Sequence, residues 1–537
     1  MFSKSALNIL KQLFTTTESK KIDSKTVLDG NTAVAITEAC MTVGITTASS
    51  NWQLENTINS YLLDEGRGAL STAIGLSLSG VRATTFLTSP ELMTAQDLIV
   101  TAVGRHIPLV IHLTNQTLSA HAGALGSGHK TYHTSADLGC FVLHATTVQE
   151  AVDFSLIARR VAELTLIPGL VAMDNEQISI QEVDLPTPEL INEFLGDPNE
   201  QITSPTPAQQ LLFGETRRRI PRWFDPDQPV MHGAIQGPES WALGAVAKHP
   251  YFSHHLETIL EQSFTLLSEL TGRNLQPISS YKTDDAKLVL IAQGATIETI
   301  EAVADHMRKE HKMKVGVLGI RNFRPFSGHK IAEKLQNKQL VAVLERVDTP
   351  LAEDPPLMRQ VRASLERASE NGRLGKNTYP NYPTLKKLPR FRSVVYGLGG
   401  YPLRVADLIE LCKTIDTKGQ GRIFLGFEFE RGSSIYPKRQ ILLDNLHRMY
   451  PNIAGLGLKS QQPTPRLAPN EAITIAIHSV SSNKLNLNAA NILFKLTNGW
   501  IRSRSGLMQG RMGKLDIFTH SYTELKDLGD DLAIDIA

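Results

Sequence analysis

One acidic residue, Glu65, stands out because it comes directly before a run of small residues that is typical of a helix N-terminus. A lone carboxylate in this place can form a hydrogen bond to an aminopyrimidine ring and shift that ring towards its imino tautomer, which can then remove a proton from carbon. The carboxylate can also serve the helix alone, because the helix dipole favours a negative charge at this end. The local spacing by itself favours the second interpretation.

The segments that must position Glu65 alternate between short apolar runs and stretches with helical spacing. Residues 109–113, apart from His112, and residues 170–173 are apolar, and residues 148–164 have apolar side chains at helical intervals. This alternation predicts a parallel sheet covered by helices. A second strand-helix-strand unit is predicted over residues 288–318.

The chain is predicted to contain three domains of the α/β class, at residues 1–257, 258–416 and 417–537. Its length of 537 residues suits about three domains of roughly 150 residues each. In the third domain, residues 472–477 are expected to form a strand and residues 488–496 a helix.

The turn expected in the third domain, at residues 478–483, contains no glycine. Glycine in a strand-to-helix turn lets backbone amides approach an anion without a clashing side chain. The sequence therefore gives no support for binding of a nucleotide-like ligand or coenzyme A at this turn.

Composition excludes several classes of function. The formal net charge is +1, so no electrostatic feature favours nucleic acid as a partner. No apolar stretch approaches the roughly 20 residues that span a bilayer, which predicts a soluble protein with no membrane span. The three cysteines, Cys40, Cys140 and Cys412, form no C-x-x-C motif, so they supply neither a disulfide framework nor a complete iron–sulfur site. Their scarcity suits the reducing cytoplasm.

Several short motifs follow one another along the chain in a fixed order. In the first part these are DGNTA at residues 29–33, GITTASS at residues 44–50, the Glu65 segment, and TFLTSPELM at residues 85–93. In the second part they run from TGRN at residues 271–274 to YGLGG at residues 396–400.

This ordered set resembles the first two domains of the 2-oxoacid:ferredoxin oxidoreductases, the family that includes pyruvate:ferredoxin oxidoreductase. In that family, Tyr-Pro-Ile-Thr-Pro-Ser-Ser occupies the place of GITTASS. The resemblance implies an α-type subunit with a pyrimidine-type thiamine diphosphate domain, followed by a domain like the C-terminal domain of transketolase. More loosely, the third domain is similar to a degenerate γ-like domain of the same family.

The resemblance implies oxidative decarboxylation of a 2-oxoacid to an acyl-coenzyme A, or the reverse carboxylation. No Gly-Asp-Gly motif for a metal and diphosphate site occurs in the sequence. A partner β subunit is therefore expected to bind most of the thiamine diphosphate and the Mg²⁺, in an active site shared between the chains. The [4Fe-4S] clusters are expected on partner subunits only, including a ferredoxin-like iron–sulfur subunit that passes electrons to ferredoxin.

By the resemblance, two residues take catalytic roles. Glu65 would contact the pyrimidine ring of the cofactor, and Thr46 would form a hydrogen bond to the carboxylate or carbonyl of the substrate. Without the resemblance, Thr46 is better interpreted as a turn-stabilising hydroxyl.

The family usually places an arginine after the strand that contains His112, where it grips the substrate carboxylate, but this chain has Gln116 there. A neutral amide lacks a charge-assisted contact worth roughly 1.5–3 kcal/mol, which corresponds to one to two powers of ten in affinity. Seven nearby side chains are candidates to replace the arginine: Arg67, Arg82, Arg105, His121, His129, Lys130 and His133.

Residues 121–133 contain three histidines with several glycines, but no carboxylate or cysteine. This composition predicts a flexible loop on the substrate side, and no metal site is expected in the chain. Ser/His/Asp nucleophilic catalysis is not supported either, because no Gly-x-Ser-x-Gly elbow occurs.

Two further hypotheses remain open. Gln116 and the missing glycine turn are also typical of a structural or regulatory paralogue that keeps the fold but has reduced catalysis. A transketolase or a 2-oxoacid dehydrogenase component is less favoured, because the domain order fits the ferredoxin-linked family better.

Overall fold

The computed structural model describes most of the chain between residues 25 and 520. The described residues are 25–42, 44–48, 60–124, 126–175, 181–224, 234–375, 378–401, 403–416, 422–429, 436–467, 473–478, 501–505 and 515–520. They form an α/β fold built on parallel sheets, which confirms the predicted fold class. No helix in this part of the chain combines the length and the apolarity needed to cross a membrane.

The N-terminal part alternates strands and helices, as the apolar runs predict. In chain order its elements are β1 (Lys25–Leu28), α1 (Gly30–Met41), β2 (Gly44–Thr47), β3 (Ser60–Leu62), α2 (Gly66–Leu78), β4 (Ala83–Thr88), α3 (Ser89–Met93), α4 (Gln96–Gly104), β5 (Val110–Asn115), α5 (Lys130–Ser135), β6 (Phe141–His144), α6 (Val148–Thr165), β7 (Gly169–Asp174) and β8 (Gln181–Asp184).

Six of these strands form the parallel part of the first sheet, in the order β6-β7-β5-β4-β2-β3. Every residue of β4, β5 and β7 is buried. Such continuous burial is expected where helices cover both faces of a parallel sheet.

Short elements follow, in the proline-rich part of the chain. They are α7 (Pro188–Leu195), β9 (Gln201–Thr203), α8 (Pro207–Phe213), β10 (Thr216–Arg218), α9 (Pro238–Tyr251) and α10 (Leu256–Thr271). Helices α7 and α8 each begin with proline after a threonine N-cap and end at a glycine. Proline suits the first helical position, and glycine suits the residue after the last, so the prolines divide this passage into short helices.

The second sheet has seven strands in the order β11-β13-β12-β15-β16-β17-β18. The elements after α10 include this sheet, β14 of the first sheet and the last strands of the chain. They are β11 (Ile278–Tyr281), β12 (Leu288–Ala292), α11 (Ile297–His311), β13 (Val315–Ile320), β14 (Asn322–Arg324), α12 (Gly328–Lys334), β15 (Leu340–Glu345), α13 (Pro356–Leu374), β16 (Arg390–Val395), α14 (Val405–Thr414), β17 (Arg422–Leu425), α15 (Pro437–Met449), β18 (Gly457–Leu458), β19 (Ile473–His478), β20 (Ile501–Ser505) and β21 (Leu515–His520).

The two large sheets are joined by β14, which follows β13 in the chain but pairs antiparallel with β6 of the first sheet. One apolar cluster also continues across both parts, from Leu70 and Leu113 to Val341 and Leu365. The first sheet and the second domain are therefore joined by a strand pairing and by a shared buried apolar cluster.

Strands β17 and β18 follow the predicted domain boundary at residue 416, yet they extend the second sheet. Ile423 and Leu425 are buried there, because alternate residues of β17 face the core. A separate five-stranded sheet, in the order β1-β8-β20-β21-β19, combines both ends of the described chain. The division into three domains, with a γ-like third domain, stays a prediction, and its helix at residues 488–496 and the turn after His478 lie outside the described residues.

Candidate functional site

The C-terminal ends of the parallel strands in the first sheet share one edge, which is where open α/β sheets bind ligands. The residues at these strand ends are Thr47, Thr88, Asn115, His144 and Asp174. The segment with Glu65 leaves β3 at the same edge. The edge therefore presents two groups of polar residues, one near β3 and one near β7.

Glu65 is the N-cap residue of α2, with extended backbone angles (φ −141°, ψ 153°). Its side chain is exposed and makes no capping hydrogen bond to the helix. The helix dipole still favours a negative charge at this position, but the carboxylate forms no hydrogen bond that caps the helix. The carboxylate stands at a helix N-terminus with its oxygens available to a ligand.

The place of Glu65 depends on the residue that follows it. A Cβ atom on Gly66 would lie 2.6 Å from the Cβ atom and 2.8 Å from the carbonyl oxygen of Glu91 in α3. Glu91 is itself fixed, because its side chain accepts a hydrogen bond of 2.7 Å from the backbone N–H of Thr88. The start of α2 can therefore pack on α3 only with glycine at position 66.

We expect Gly66→Ala to lower the free energy of unfolding by about 1–3 kcal/mol, because the added methyl group meets fixed backbone. Gly75→Ala is the matched control in the same helix, since no atom lies within 4 Å of its added Cβ. That control should raise stability by about 0.5–1 kcal/mol, as alanine does in a helix interior. Urea unfolding of both variants measures the difference, and a Gly66→Ala variant as stable as Gly75→Ala would contradict this packing.

Thr46 supports Glu65 indirectly. The Thr46 side chain is fully buried, and its hydroxyl donates to the carbonyl oxygen of Ala69, 2.9 Å away, in the first turn of α2. The backbone N–H of Ala69 in turn donates to the carbonyl oxygen of Glu65, at 3.0 Å. This structure therefore places Thr46 as a support of the helix start, and its predicted contact with the substrate stays a prediction.

The register of the motif also points to the neighbouring residue. When GITTASS is set against Tyr-Pro-Ile-Thr-Pro-Ser-Ser position by position, the threonine of the family falls on Thr47. Successive side chains of a strand point to opposite faces, so Thr46 and Thr47 in β2 cannot serve the same surface.

Gln116 follows the end of β5 and is half-buried. Its backbone N–H donates to the hydroxyl oxygen of Ser89, at 2.9 Å, which holds the start of this loop against α3. The residue thus lies at the predicted edge of the sheet, and its role in substrate binding stays a prediction.

The structure distinguishes among the seven side chains that could replace the family arginine as the cation that binds the substrate carboxylate. Arg82 is buried and forms a two-pronged contact with Glu163, with distances of 2.6 and 3.1 Å. Arg67 forms a similar pair with Asp97 at the surface. His129 and His133 are buried, whereas Arg105 is half-buried and His121 and Lys130 are exposed. Arg67, Arg105, His121 and Lys130 therefore have accessible side chains, and that of Arg67 is already paired with Asp97.

The second polar group is a buried cluster around Asp174. Its Oδ1 atom lies 2.8 Å from Nε2 of His129, 3.2 Å from Nε2 of His144 and 3.2 Å from Nδ2 of Asn115. Its Oδ2 atom accepts a hydrogen bond of 2.9 Å from the backbone N–H of Ala295 in the second domain. All four side chains have at most 1 % of their surface exposed.

The second domain closes over this cluster at a short 3₁₀ helix, Gly294–Thr296. Gly294 has a positive φ of 70°, and a Cβ atom there would lie 2.2 Å from Oδ2 of Asp174 and 2.8 Å from Nε2 of His144. The guanidinium of Arg346 lies 4.0 Å from the same Oδ2 atom. Glycine at position 294 therefore allows the backbone of the second domain to reach the carboxylate.

Burial and neighbouring groups set the ionisation of the cluster. Burial alone would raise the pKa of Asp174, but His129 and His144 beside it hold that pKa well below its usual value. Burial lowers the pKa of His129, although Asp174 opposes the shift. Burial, with His129 and His144 nearby, also holds the pKa of His133 well below its usual value. The neighbouring histidines therefore favour the ionised form of Asp174, and burial disfavours the charged forms of His129 and His133.

The histidine-rich loop differs from the flexible loop that the sequence predicts. The backbone N–H of Thr117 donates to the carbonyl oxygen of Gly126, at 2.8 Å, and the N–H of Asn175 donates to the hydroxyl oxygen of Ser127, at 2.5 Å. The N–H of His129 donates to the carbonyl oxygen of Arg346, at 3.2 Å. The second half of this loop is therefore packed between the two domains, and these hydrogen bonds satisfy polar groups of its backbone.

Sequence reasoning did not identify Asn115, His144 or Asp174. A signal was present, because each is a polar residue at the end of a buried apolar strand of a parallel sheet. Such strand ends meet at one edge. The motif search considered only residues close together in sequence, whereas this cluster joins three strands.

Two family models match the chain. Residues 42–249 match the one described as "Pyruvate flavodoxin/ferredoxin oxidoreductase, thiamine diP-bdg". Residues 286–377 match "Pyruvate:ferredoxin oxidoreductase core domain II". Together the two matches cover more than half of the chain.

Curated relatives agree with both matches. The chain is 29% identical over 306 residues to the "Probable pyruvate-flavodoxin oxidoreductase" of Escherichia coli K12, covering 57% of this chain but only 25% of that protein. It is 25% identical over 375 residues to "Pyruvate synthase subunit PorA" of Methanothermobacter thermautotrophicus, covering 68% of this chain and 85% of that protein. The chain thus matches about a quarter of the first relative and most of the second.

A solved structure supports the same fold. The "2-oxoglutarate:ferredoxin oxidoreductase from Magnetococcus marinus with 2-oxoglutarate, coenzyme A and succinyl-CoA bound" superimposes with a TM-score of 0.52 at 14% identity, covering 76% of this chain and 69% of that chain. With the ordered motifs, the two matched domains and the parallel sheets that contain them, the chain belongs to the 2-oxoacid:ferredoxin oxidoreductase family.

Proposed function

We propose that this chain is the α-type subunit of a thiamine diphosphate-dependent 2-oxoacid:ferredoxin oxidoreductase. The observation that carries the proposal is the exposed carboxylate of Glu65, which makes no cap for its own helix and lies in the domain matched to a thiamine-binding family. A carboxylate that is exposed at a helix N-terminus and makes no capping bond is suited to a hydrogen bond with a ligand.

The residues present fit one half of the cofactor. Glu65 would contact the pyrimidine ring and hold a proton there, and Thr46 would keep the start of α2 in place through the carbonyl oxygen of Ala69. Thiamine diphosphate, when bound, supplies the carbon nucleophile for 2-oxoacid decarboxylation. The sequence contains no Gly-Asp-Gly motif for the diphosphate and Mg²⁺, so the proposal assigns these groups mainly to a partner β subunit that shares the site.

Electrons must leave through other chains. The three cysteines are far apart in sequence, and Cys140 and Cys412 are buried, so they provide no ligand set for a [4Fe-4S] cluster. The proposal therefore includes a ferredoxin-like iron–sulfur subunit, ferredoxin as the acceptor, and coenzyme A as the acyl acceptor. We place this complex in the cytoplasm, where the scarcity of cysteine is expected.

The test is to isolate the chain with its natural partners and to measure thiamine content and activity together. We expect the chain alone to be colourless, free of thiamine and inactive. The complex should contain thiamine diphosphate and reduce a low-potential acceptor when a 2-oxoacid and coenzyme A are added. A complex with iron–sulfur clusters but no thiamine at the site that includes this chain would contradict the proposal.

A second function, a paralogue with reduced catalysis, is favoured by one observation. Gln116 provides no positive charge at the place where the family arginine binds the substrate carboxylate. Such a paralogue would assemble with the same partners but leave the shared site without thiamine. Thiamine content therefore separates the two functions before any substrate has been identified.

Gln116→Arg tests whether this position faces the substrate. We expect the variant complex to show a KM for its 2-oxoacid about 10- to 100-fold lower, because the guanidinium adds a charge-assisted contact of roughly 1.5–3 kcal/mol. Gln116→Lys is the matched control, since lysine adds the charge without the two-pronged geometry and should give a smaller change. Steady-state kinetics measure both variants, and an unchanged KM in Gln116→Arg would place the substrate elsewhere.

A further inference from the structure

The cluster around Asp174 is separate from the proposed thiamine contact. Strand β7, which ends at Asp174, lies four strands away from β3 in the first sheet. At about 4.8 Å per strand, this places the cluster roughly 19 Å from the β3 edge, next to which Glu65 lies. The proposed function leaves the cluster without a role.

Four potential ligand atoms meet inside the cluster. They are Oδ1 of Asp174, Nε2 of His129, Nε2 of His144 and one atom of the Asn115 side-chain amide. The separations are 2.8 Å between Asp174 and His129, and 3.2 Å for the three contacts among Asp174, His144 and Asn115. An ion with tetrahedral bonds of about 2.0–2.1 Å has ligand atoms about 3.3 Å apart. The observed spacing is close to that of a metal centre.

The contacts among Asn115, His144 and Asp174 form a triangle with sides of 3.2 Å. When both nitrogens carry protons, Nε2 of His144 and Nδ2 of Asn115 can each donate to Oδ1 of Asp174. The same oxygen lies 2.8 Å from Nε2 of His129. A cation can take the place of the protons on the two imidazole nitrogens, because metal ligands bind through their unprotonated atoms.

Two buried atoms beside the triangle lack partners. Nδ1 of His144 and Oδ1 of Asn115 make no hydrogen bond to any residue in the described part of the chain. Because Oδ1 of Asn115 makes no bond where it now lies, the amide can be turned so that this oxygen points to the cluster. In that orientation the amide oxygen joins the ligand atoms of His129, His144 and Asp174, which lie within 4.8 Å of one another.

We propose that His129, His144, Asp174 and Asn115 bind one divalent cation of the zinc class in the first domain, beside its contact with the second domain. Two imidazoles with oxygen ligands favour Zn²⁺ or a similar transition-metal ion over Mg²⁺ and Ca²⁺, which prefer oxygen alone. This site departs from the absence of metal that the sequence predicts. It does not depend on the proposed thiamine chemistry.

The surroundings of Asp174 suit a ligand that binds through one oxygen. Oδ2 accepts the backbone N–H of Ala295, and the guanidinium of Arg346 lies near that same oxygen, whereas Oδ1 faces the two imidazoles. Outer contacts of this kind fix the orientation of a metal ligand.

All four ligands belong to the first domain, and Ala295 and Arg346 of the second domain contact Asp174 from outside the site. The ligands are buried, with His144 and Asp174 showing no exposed surface. The cation would therefore enter during folding and would not exchange freely afterwards, so its binding free energy would add to the stability of the folded first domain.

The test measures metal in the full-length chain. The protein is passed over a chelating resin and analysed by mass spectrometry of metals, and a second sample is refolded with Co²⁺ alone. We expect about one zinc-class ion per chain, and a visible absorption spectrum of tetrahedral Co²⁺ in the refolded sample. His144→Gln and Asp174→Asn should each remove the stoichiometric ion and the Co²⁺ spectrum.

His112→Gln is the matched control, because it disturbs another buried histidine and carboxylate pair, His112 and Glu38 at 2.7 Å, without touching the cluster. It should retain the ion. Circular dichroism identifies variants that fail to fold, and the wild-type measurement needs no variant. If the folded wild-type chain holds no metal after refolding with Zn²⁺ or Co²⁺, the cluster consists of hydrogen bonds only. If a folded His144→Gln variant keeps one metal ion per chain, the ion is bound elsewhere. Either result overturns the proposal.

Discussion

Glu65→Gln is expected to lower the 2-oxoacid-dependent activity of the assembled complex by about 10²- to 10⁴-fold, the range typical of a lost acid–base group. Glutamine keeps the length of the side chain and can still accept a hydrogen bond, but it cannot hold a transferable proton. The side chain is exposed at the start of α2 and makes no capping bond there. The substitution should therefore leave the helix and the free energy of unfolding almost unchanged.

Asp64→Asn is the matched control, since Asp64 is the adjacent exposed carboxylate in the same turn. It should keep the activity of the wild type, because the proposed contact belongs to the N-cap residue alone. Steady-state reduction of a low-potential acceptor, together with thiamine content, separates loss of chemistry from loss of cofactor. Full activity in Glu65→Gln, or equal losses in both variants, would remove Glu65 from the proposed site.

The fold was predictable because burial leaves a clear pattern in the sequence. Strands such as β5 and β7 contain short, mainly apolar runs between helical stretches and are buried throughout, as a parallel sheet covered on both faces requires. The family resemblance came from motifs that lie at the strand ends of this sheet. The position of Glu65 at a helix start also followed from the small residues after it.

Long-range pairing was not predictable from local patterns. Strand β14 comes after β13 in the chain but pairs with β6, and β17 joins the second sheet although it follows the expected boundary. The hydroxyl of the buried Thr46 donates its hydrogen bond to the carbonyl oxygen of Ala69, which lies 23 residues away. These features depend on which segments meet in space, and hydrophobic periodicity does not record that information.

The same limit explains why the Asp174 cluster was missed. His129 belongs to the histidine-rich loop that the sequence singled out, but its partners His144 and Asp174 are 15 and 45 residues further along. Only the parallel order of β6, β7 and β5 brings their ends together. Sequence spacing therefore suggested a loop with too few ligands, whereas the fold supplies the missing carboxylate.

The first sheet depends on a second buried network, and Glu38→Gln is expected to lower the free energy of unfolding by about 3–5 kcal/mol. Glu38 in α1 lies 3.1 Å from the guanidinium of Arg159 in α6 and 2.7 Å from Nε2 of His112 in β5. Arg159 is fully buried, so the substitution leaves its charge without a counter-ion. Arg159 also donates to the carbonyl oxygen of Ala83, at 2.8 Å, which connects the network to β4.

The pH dependence of this loss has a definite sign. Burial alone would raise the pKa of Glu38, but Arg159 and His112 lower it from 4.5 to about 2. A carboxyl group with a lowered pKa in the folded state stabilises the protein above its unfolded pKa and loses that contribution as the pH falls. The difference between wild type and Glu38→Gln should therefore be complete above about pH 4.5 and shrink between pH 4.5 and 2.

Urea unfolding at several pH values measures this difference, with Asp97→Asn as the control. Asp97 pairs with Arg67 in the same two-pronged way, at 2.5 and 2.7 Å, but at the surface, where solvent screens both charges. The control should leave stability close to that of the wild type at every pH. If Glu38→Gln were as harmless as Asp97→Asn, the buried ion pair would not be what holds α1 and α6 on the sheet, and the strand ends that form the proposed site would owe their positions to apolar packing alone.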